Sequence, residues 1–260
     1  DAISISFPTE KIGLLKPQLL PILAPLYFSK QKDWAIFHKS SLVPSYPLFP
    51  WERETFINQV AAFLEAENIL SNEAFAALAE LPKLEAGLVQ RLDNATSGIL
   101  IIAFTSETKA LFRKLISTHQ IEKKYHAIVE GRIAQAQDFS FFVSAAGEKK
   151  MRVSIEGIKA NMQMVPLAVN DSYSLVELTT CHGVRHQVRV LMAHIGHPLM
   201  GDALYGAKSD SASCHQLHAC GLRALQGVNE LRKGFFSAPP TIFMENFKLT
   251  GLNYSYDKRS

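Results

Sequence analysis

The spacing of apolar and polar residues divides the chain into stretches of different period. Residues 1–31 are repeatedly interrupted by proline and read as an arm, too short for a separate domain. Trp34-Ala35-Ile36-Phe37 is an apolar run of strand length, followed by a loop through Pro44, Pro47 and Pro50. From Trp51 the pattern turns helical, with Phe56, Val60, Phe63 and Leu64 at i, i+4, i+7 and i+8 on one stripe. A second helix is expected over Asn72 to Leu81, stopped by Pro82. Ile99 to Phe104 is apolar throughout, as a strand covered on both faces would be. Ser106 can cap a helix carrying Leu111, Phe112, Leu115 and Ile116 on one side, with Glu107 near its positive end. Lys123 to Val129 reads as a strand, and short strand-like runs continue from Phe139 to Thr180. Val188, Leu191, Met192 and Ile195 then mark a helix from about His186 to Ile195. Short strands mixed with few helices, without regular βαβ alternation, predict an α+β fold on a largely antiparallel sheet.

Length and composition narrow this further. A chain of 260 residues, 47% of them hydrophobic, can bury a sizeable core, so residues 32–260 are expected to form a single domain behind the arm. Net charge is only +3, but it is unevenly spread. Residues 52–85 hold seven acids against two bases, a net of −5, which leaves +8 on the rest. A polyanion-binding body with an acidic helical segment (51–85) turned away fits this, and so does an ordinary solvated helix pair.

Three cysteines, an odd count in a chain that needs no staples, favour reduced thiols and a cytoplasmic setting. The apolar stretch from Ile12 to Phe28 is broken by Lys16, Pro17, Pro21 and Pro25, so no membrane span and no secretory leader is expected. A soluble intracellular protein follows as the expectation; the sequence leaves the oligomeric state open, with a monomer as the working expectation.

Asp93 stands out within Gln90-Arg91-Leu92-Asp93-Asn94-Ala95-Thr96-Ser97-Gly98, a carboxylate in a turn-prone loop ahead of a buried strand. Alone, that is a plain turn with side-chain-to-backbone hydrogen bonds. Three further blocks change its meaning. They are Lys123-Lys124-Tyr125-His126-Ala127-Ile128-Val129-Glu130-Gly131; then Gly183-Val184-Arg185-His186-Gln187-Val188-Arg189 with Gly196-His197-Pro198 and Gly201-Asp202-Ala203-Leu204-Tyr205-Gly206; and Leu217-His218-Ala219 with Phe236-Ser237-Ala238-Pro239.

In this order the blocks resemble the signature of the RluA-like pseudouridine synthases, the branch acting on ribosomal and transfer RNA, over roughly two-thirds of the chain. The resemblance implies the pseudouridine synthase catalytic fold and a reaction that detaches uracil from N1 and rejoins it through C5, without a cofactor. It implies Asp93 as the catalytic carboxylate, acting at C1′ or C6 or on the C2′ proton. Arg189 would keep that carboxylate charged, and Tyr125 would stack on the target base and assist proton removal at C5. Arg91 would fill the gap left by the flipped nucleotide. Lys123, Lys124, Arg185, His186 and Gln187 complete the expected RNA contacts, and a stem-loop of rRNA or tRNA is the expected partner.

The sequence departs from the family pattern at three places. Gln90 stands for the usual histidine, and Val184-Arg185 for Arg-Thr, a charge displaced by one position. On a helix this puts Arg185 and Arg189 one turn apart on a shared face. Phe37-His38-Lys39-Ser40-Ser41-Leu42 only loosely matches Asn-Lys-Pro-x-Gly-Leu. These departures make a catalytically impaired RNA-binding or RNA-folding protein the alternative. A metal site built from His182 and His186, His194 and His197, or the group Cys214, His215, His218 and Cys220 is disfavoured. No His-Glu-x-x-His or Cys-x-x-Cys pair is present.

Overall fold

The computed structural model describes residues 17–49, 51–79, 84–208 and 212–256. Ten strands join one sheet: β1 (Tyr27–Phe28), β2 (Trp34–Lys39), β3 (Ser97–Ala103), β4 (Ile121–Glu130), β5 (Gln137–Ala146), β6 (Lys150–Ser154), β7 (Ile158–Val169), β8 (Tyr173–Thr180), β9 (Leu217–Ala224) and β10 (Phe235–Phe236). Their order is β1-β2-β3-β9-β4-β8-β7-β5-β6, with β10 on β9. The pairing of β3 with β9 is parallel and the other described pairings are antiparallel, so the fold is α+β with a mixed, mostly antiparallel sheet. Among the described residues six α-helices flank it: α1 (Phe56–Ala66), α2 (Asn72–Ala76), α3 (Ser106–Ser117), α4 (Gln187–His194), α5 (Asn229–Arg232) and α6 (Thr241–Leu249).

The continuous apolar run becomes β3, and all seven of its residues are buried. Alternation sends Leu100 and Ile102 towards Phe56, Val60 and Leu64 of α1, and Ile99 and Ile101 towards Phe112 and Leu115 of α3. β4 is treated the same way. Ala127 and Val129 pack with Val188, Leu191 and Met192 of α4, while Ile128 packs with Phe243 and Phe247 of α6. The strands that carry the site are thus clamped between layers, which is what a rigid scaffold for chemistry requires.

Several boundaries differ from the sequence expectation. Helix α1 starts at Phe56, because the extended Thr55 turns the chain and caps Asn58 N; Trp51 lies in a turn before it. Thr105, not Ser106, caps α3 by accepting from Thr108 N, since it is the residue still in extended conformation. Helix α2 ends at Ala76, with Leu81 and Pro82 lying outside the described residues. The expected short strands over 139–180 are long, ten residues in β5 and twelve in β7. In β7, Ala160, Met162 and Met164 point inward between exposed Lys159, Asn161 and Gln163.

The residues ahead of β2 are tied to α1, because Gln18, Leu19 and Leu20 donate their backbone N–H groups to the Glu54 carboxylate. No helix among the described residues is long and apolar enough to cross a membrane.

Candidate active site

The loop ahead of β3 is held from two sides. Ser45 Oγ donates to the Leu92 carbonyl at 2.7 Å, and Ser41 Oγ to the Ala95 carbonyl at 2.6 Å. Between them the fully buried Lys39 Nζ donates to the carbonyls of Asn94 (2.9 Å), Ser40 (2.9 Å) and Val43 (2.7 Å). From behind, Thr96 Oγ1 meets His215 Nε2 at 2.9 Å, and Ser97 Oγ meets His218 Nδ1 at 2.9 Å. Gly98 closes the loop with φ +128°, and a Cβ there would lie 2.3 Å from the Ala219 carbonyl oxygen. Glycine is therefore what lets β3 meet β9. Residues 92–97 are anchored by backbone and hydroxyl contacts, which leaves the Asp93 carboxylate as the group turned to the cleft.

Asp93 Oδ2 accepts from Arg189 Nη1 at 2.9 Å. The rest of that guanidinium is gripped by Asp202, Nε to Oδ2 at 2.7 Å and Nη2 to Oδ1 at 2.8 Å, and the Tyr205 ring lies 5.1 Å from its carbon. Asp202 is only 2% exposed, and Gly201 before it, with φ +76°, passes so near the Cys214 carbonyl that a Cβ would sit 2.4 Å away. Burial by itself would lower the Arg189 guanidinium, but hydrogen bonds and charge from Asp202 and then Asp93 hold it raised. His186 Nε2 stands 3.7 Å from Asp93 Oδ2, and its Nδ1 meets the Tyr205 hydroxyl at 2.9 Å. Burial lowers its pKa against the pull of Asp93.

Tyr125 reaches the same space from β4. A bulge falls here: Lys124 pairs with Gly221 and Tyr125 with Ala219, so Cys220 has no opposite number. Burial, then the charges of Asp93 and Cys220, push the Tyr125 hydroxyl well above the usual phenol range. It brings an aromatic ring and a hydroxyl into the cleft that Asp93 also lines.

A cleft of about 380 Å³ joins these groups, lined among others by Arg91, Asp93, Lys123, Tyr125, Arg185 and Arg189. The remaining expected residues divide. Arg91 is exposed on its rim, Nη1 3.3 Å from the Tyr46 hydroxyl. Lys123 is buried in its wall and donates to the His182 carbonyl at 3.2 Å. Lys124 projects from the opposite face of the sheet, pairs with Glu177 at 3.0 Å and borders a different groove. Gln187 is buried and spent on Asn161 O, Thr180 Oγ1 and Val184 N.

Arg185 precedes α4 and donates to the Glu148 carbonyl at 2.6 Å, so the expected shared helical face with Arg189 does not exist. The left-handed His186, φ 55°, breaks the helical path between them. The histidines weighed as metal ligands are dispersed: His182 stacks on His119, His194 meets Phe141 edge-on, and His197 bonds the Glu130 carbonyl.

Sequence reasoning gave no role to Lys39 or Asp202. Asp202 had a signal, a lone carboxylate in a glycine-flanked turn. Lys39 had only a charge at the end of an apolar strand.

The family model for RNA pseudouridylate synthases matches residues 33–194. The ribosomal large subunit pseudouridine synthase D of Borreliella burgdorferi is 29% identical over 95% of this chain and 76% of its own length. The tRNA pseudouridine synthase C of Yersinia pestis is 33% identical over 51% of this chain; the match spans 57% of that relative. The human RNA pseudouridylate synthase domain containing 4 superposes with a TM-score of 0.66 at 19% identity, covering 88% of this chain and 94% of that one, which shows a shared fold. The span matched by the family begins at β2, whose end clamps the Asp93 loop, and closes on α4, which carries Arg189, so this chain belongs to the RNA pseudouridylate synthase family, in its RluA-type branch.

Proposed function

We propose that the chain isomerises a specific uridine in structured RNA to pseudouridine, with Asp93 as the reacting carboxylate. The observation that carries this is the Asp93–Arg189 pair at the wall of a cleft that also holds Tyr125. The reaction breaks the N1–C1′ bond, turns the uracil, forms C5–C1′, releases the C5 proton and leaves a proton on N1. It is redox-neutral and internal to the substrate, so it calls for no cofactor.

Attack at C1′, attack at C6 and removal of the C2′ proton all ask for an ionised carboxylate in a partly dry site. Arg189 supplies the compensating charge, and Asp202 fixes its direction. Tyr125 offers its ring to the base, and Arg91 on the rim offers a side chain to the space the nucleotide vacates. Lys123, Arg185 and His186 line the approach for RNA. Lys124 and Gln187 are left out, one facing away and one fully bonded.

The substrate class follows the relatives, one named for the large ribosomal subunit and one for tRNA, and a stem-loop of either is the substrate proposed here. Residues 32–260 are taken as the catalytic unit, monomeric and cytoplasmic; Cys181, Cys214 and Cys220, outside any disulfide, suit that compartment. The rival reading, an RNA binder without turnover, draws on the displaced Arg185 and on the loose match at Phe37 to Leu42. Arg185 donates to the Glu148 carbonyl and plays no part in holding Asp93, so its displacement leaves the Asp93–Arg189 pair intact.

The test is release of tritium from C5-labelled RNA. Wild type is expected to release it, and Asp93→Ala to release none while binding RNA with similar affinity. Equal release by both would remove Asp93 from the chemistry. Pseudouridine mapping in total RNA with and without the protein identifies the uridine.

A further inference from the structure

Two lysines are buried near the cleft, and they differ in how their protons are used. Lys39 Nζ has three carbonyl acceptors for three N–H bonds, so it is complete. Lys123, 6% exposed, has among the described residues the His182 carbonyl alone, at 3.2 Å. The acid next to it in sequence, Glu122, is engaged with Arg223 at 2.9 Å. Burial brings the Lys123 ammonium down to about 8, with the charge of Cys181 opposing, as befits a cation short of partners.

Its position is specific. Strand alternation places Lys123 on the same face of β4 as Tyr125, two residues or about 7 Å along. Beside it the His182 ring lines the cleft and stacks on His119, centroids 4.1 Å apart.

We propose that Lys123, walled by the His119–His182 stack, is a positioning residue that binds the phosphodiester of a nucleotide adjacent to the target uridine. The inference rests on the reading that the uridine lies against Tyr125. It adds where the neighbouring backbone runs: along β4, towards the end of α3. A buried ammonium with unused donors suits a phosphate, whose several oxygens accept at once and whose charge repays the desolvation. A backbone contact of this kind fixes register without reading sequence.

The test compares wild type, Lys123→Met and His119→Ala, each checked for an unchanged thermal melt, in binding a fluorescent oligouridylate across a range of salt. Lys123→Met is expected to weaken binding about ten-fold at low salt and to make the slope of log affinity on log salt shallower by about 0.7, one phosphate contact on a single strand. On C5-tritiated total RNA its loss is expected in KM rather than kcat. His119→Ala, at an exposed ring, is expected to cost about two- to five-fold in affinity. An unaltered salt slope in Lys123→Met, or a loss confined to kcat, overturns the phosphate role, and unaltered affinity in His119→Ala overturns the wall. The salt slope is read without turnover, so it decides Lys123 even where tritium release fails and Asp93 loses its role.

Discussion

Asp202 holds two nitrogens along one edge of the Arg189 guanidinium, at 2.7 and 2.8 Å, and so turns the third nitrogen towards Asp93. The two carboxylates play different parts. Asp202 is sealed from solvent, whereas the Asp93 side chain keeps 28% of its surface exposed to a ligand. A bidentate grip fixes both the position and the plane of an arginine, which one contact cannot do. Asp202→Ala strands a buried cation, and removing one partner of such a pair costs roughly 3–5 kcal/mol. Urea unfolding is expected to show that loss, together with a fall in kcat larger than the change in KM. A variant with wild-type stability and kcat would show that Asp202 positions nothing.

Arg189→Lys keeps the charge and loses the fork. An ammonium is a point charge on a flexible stem and cannot span Asp202 and Asp93 with the same geometry. Turnover is expected to fall by about a hundred-fold, in the range seen when a positioned charge partner is misplaced. Tritium release under single-turnover conditions measures this, and activity within a factor of three of wild type would count against the fork.

Lys39→Met removes the clamp on the Asn94 carbonyl while filling the same space. Three carbonyls lose their donor, at about 1–3 kcal/mol for each buried acceptor left unsatisfied. The offset comes from no longer burying an amine whose pKa burial has lowered to about 7, against the raising pull of Asp93 and Cys214. The net change in the urea midpoint is therefore expected to be small and the loss of kcat large, at least ten-fold. A stability loss without any loss of turnover would assign Lys39 to the fold alone.

The parts of this arrangement differ in how far they could be read from the sequence. The run from Ile99 to Phe104 announces a strand covered on both faces, because burial on two sides leaves no polar alternation, and β3 is that strand. Helix starts were misplaced by one residue at Thr105 and by several at Thr55, because two hydroxyl residues in succession, or an apolar Trp51 upstream, carry the same local signal.

Lys124 was within reach. A period of two along β4 puts it opposite Lys123 and Tyr125, and it faces away accordingly. Arg185 was not, since the break at His186 depends on a left-handed residue that nothing in the sequence requires there. Lys39 was also out of reach, because its role exists only once Asn94, 55 residues away, folds onto it.

The last prediction concerns the two histidines behind the Asp93 loop. His218 Nε2 lies 2.9 Å from the Ser237 carbonyl, which can only accept, so Nε2 carries the proton and Nδ1 accepts from Ser97 Oγ. That neutral tautomer is fully satisfied, and a second proton would place a charge in a fully buried site. Burial lowers His218 to about 3 and His215 to about 4, and it lowers His38, His182 and His186 as well.

The folded protein therefore refuses protons that the unfolded chain takes up below about pH 6.5. The contribution of these histidines is complete above that pH and is lost as the solution is acidified towards the folded-state values, by up to about 1.4 kcal/mol per pH unit for each of His215 and His218. Urea unfolding between pH 5 and 6.5 should show the wild type losing stability, and His218→Gln should remove about one proton from the slope. Parallel profiles for the two proteins would mean that His218 is protonated in the native state, and the tautomer assigned through Ser237 would then be wrong.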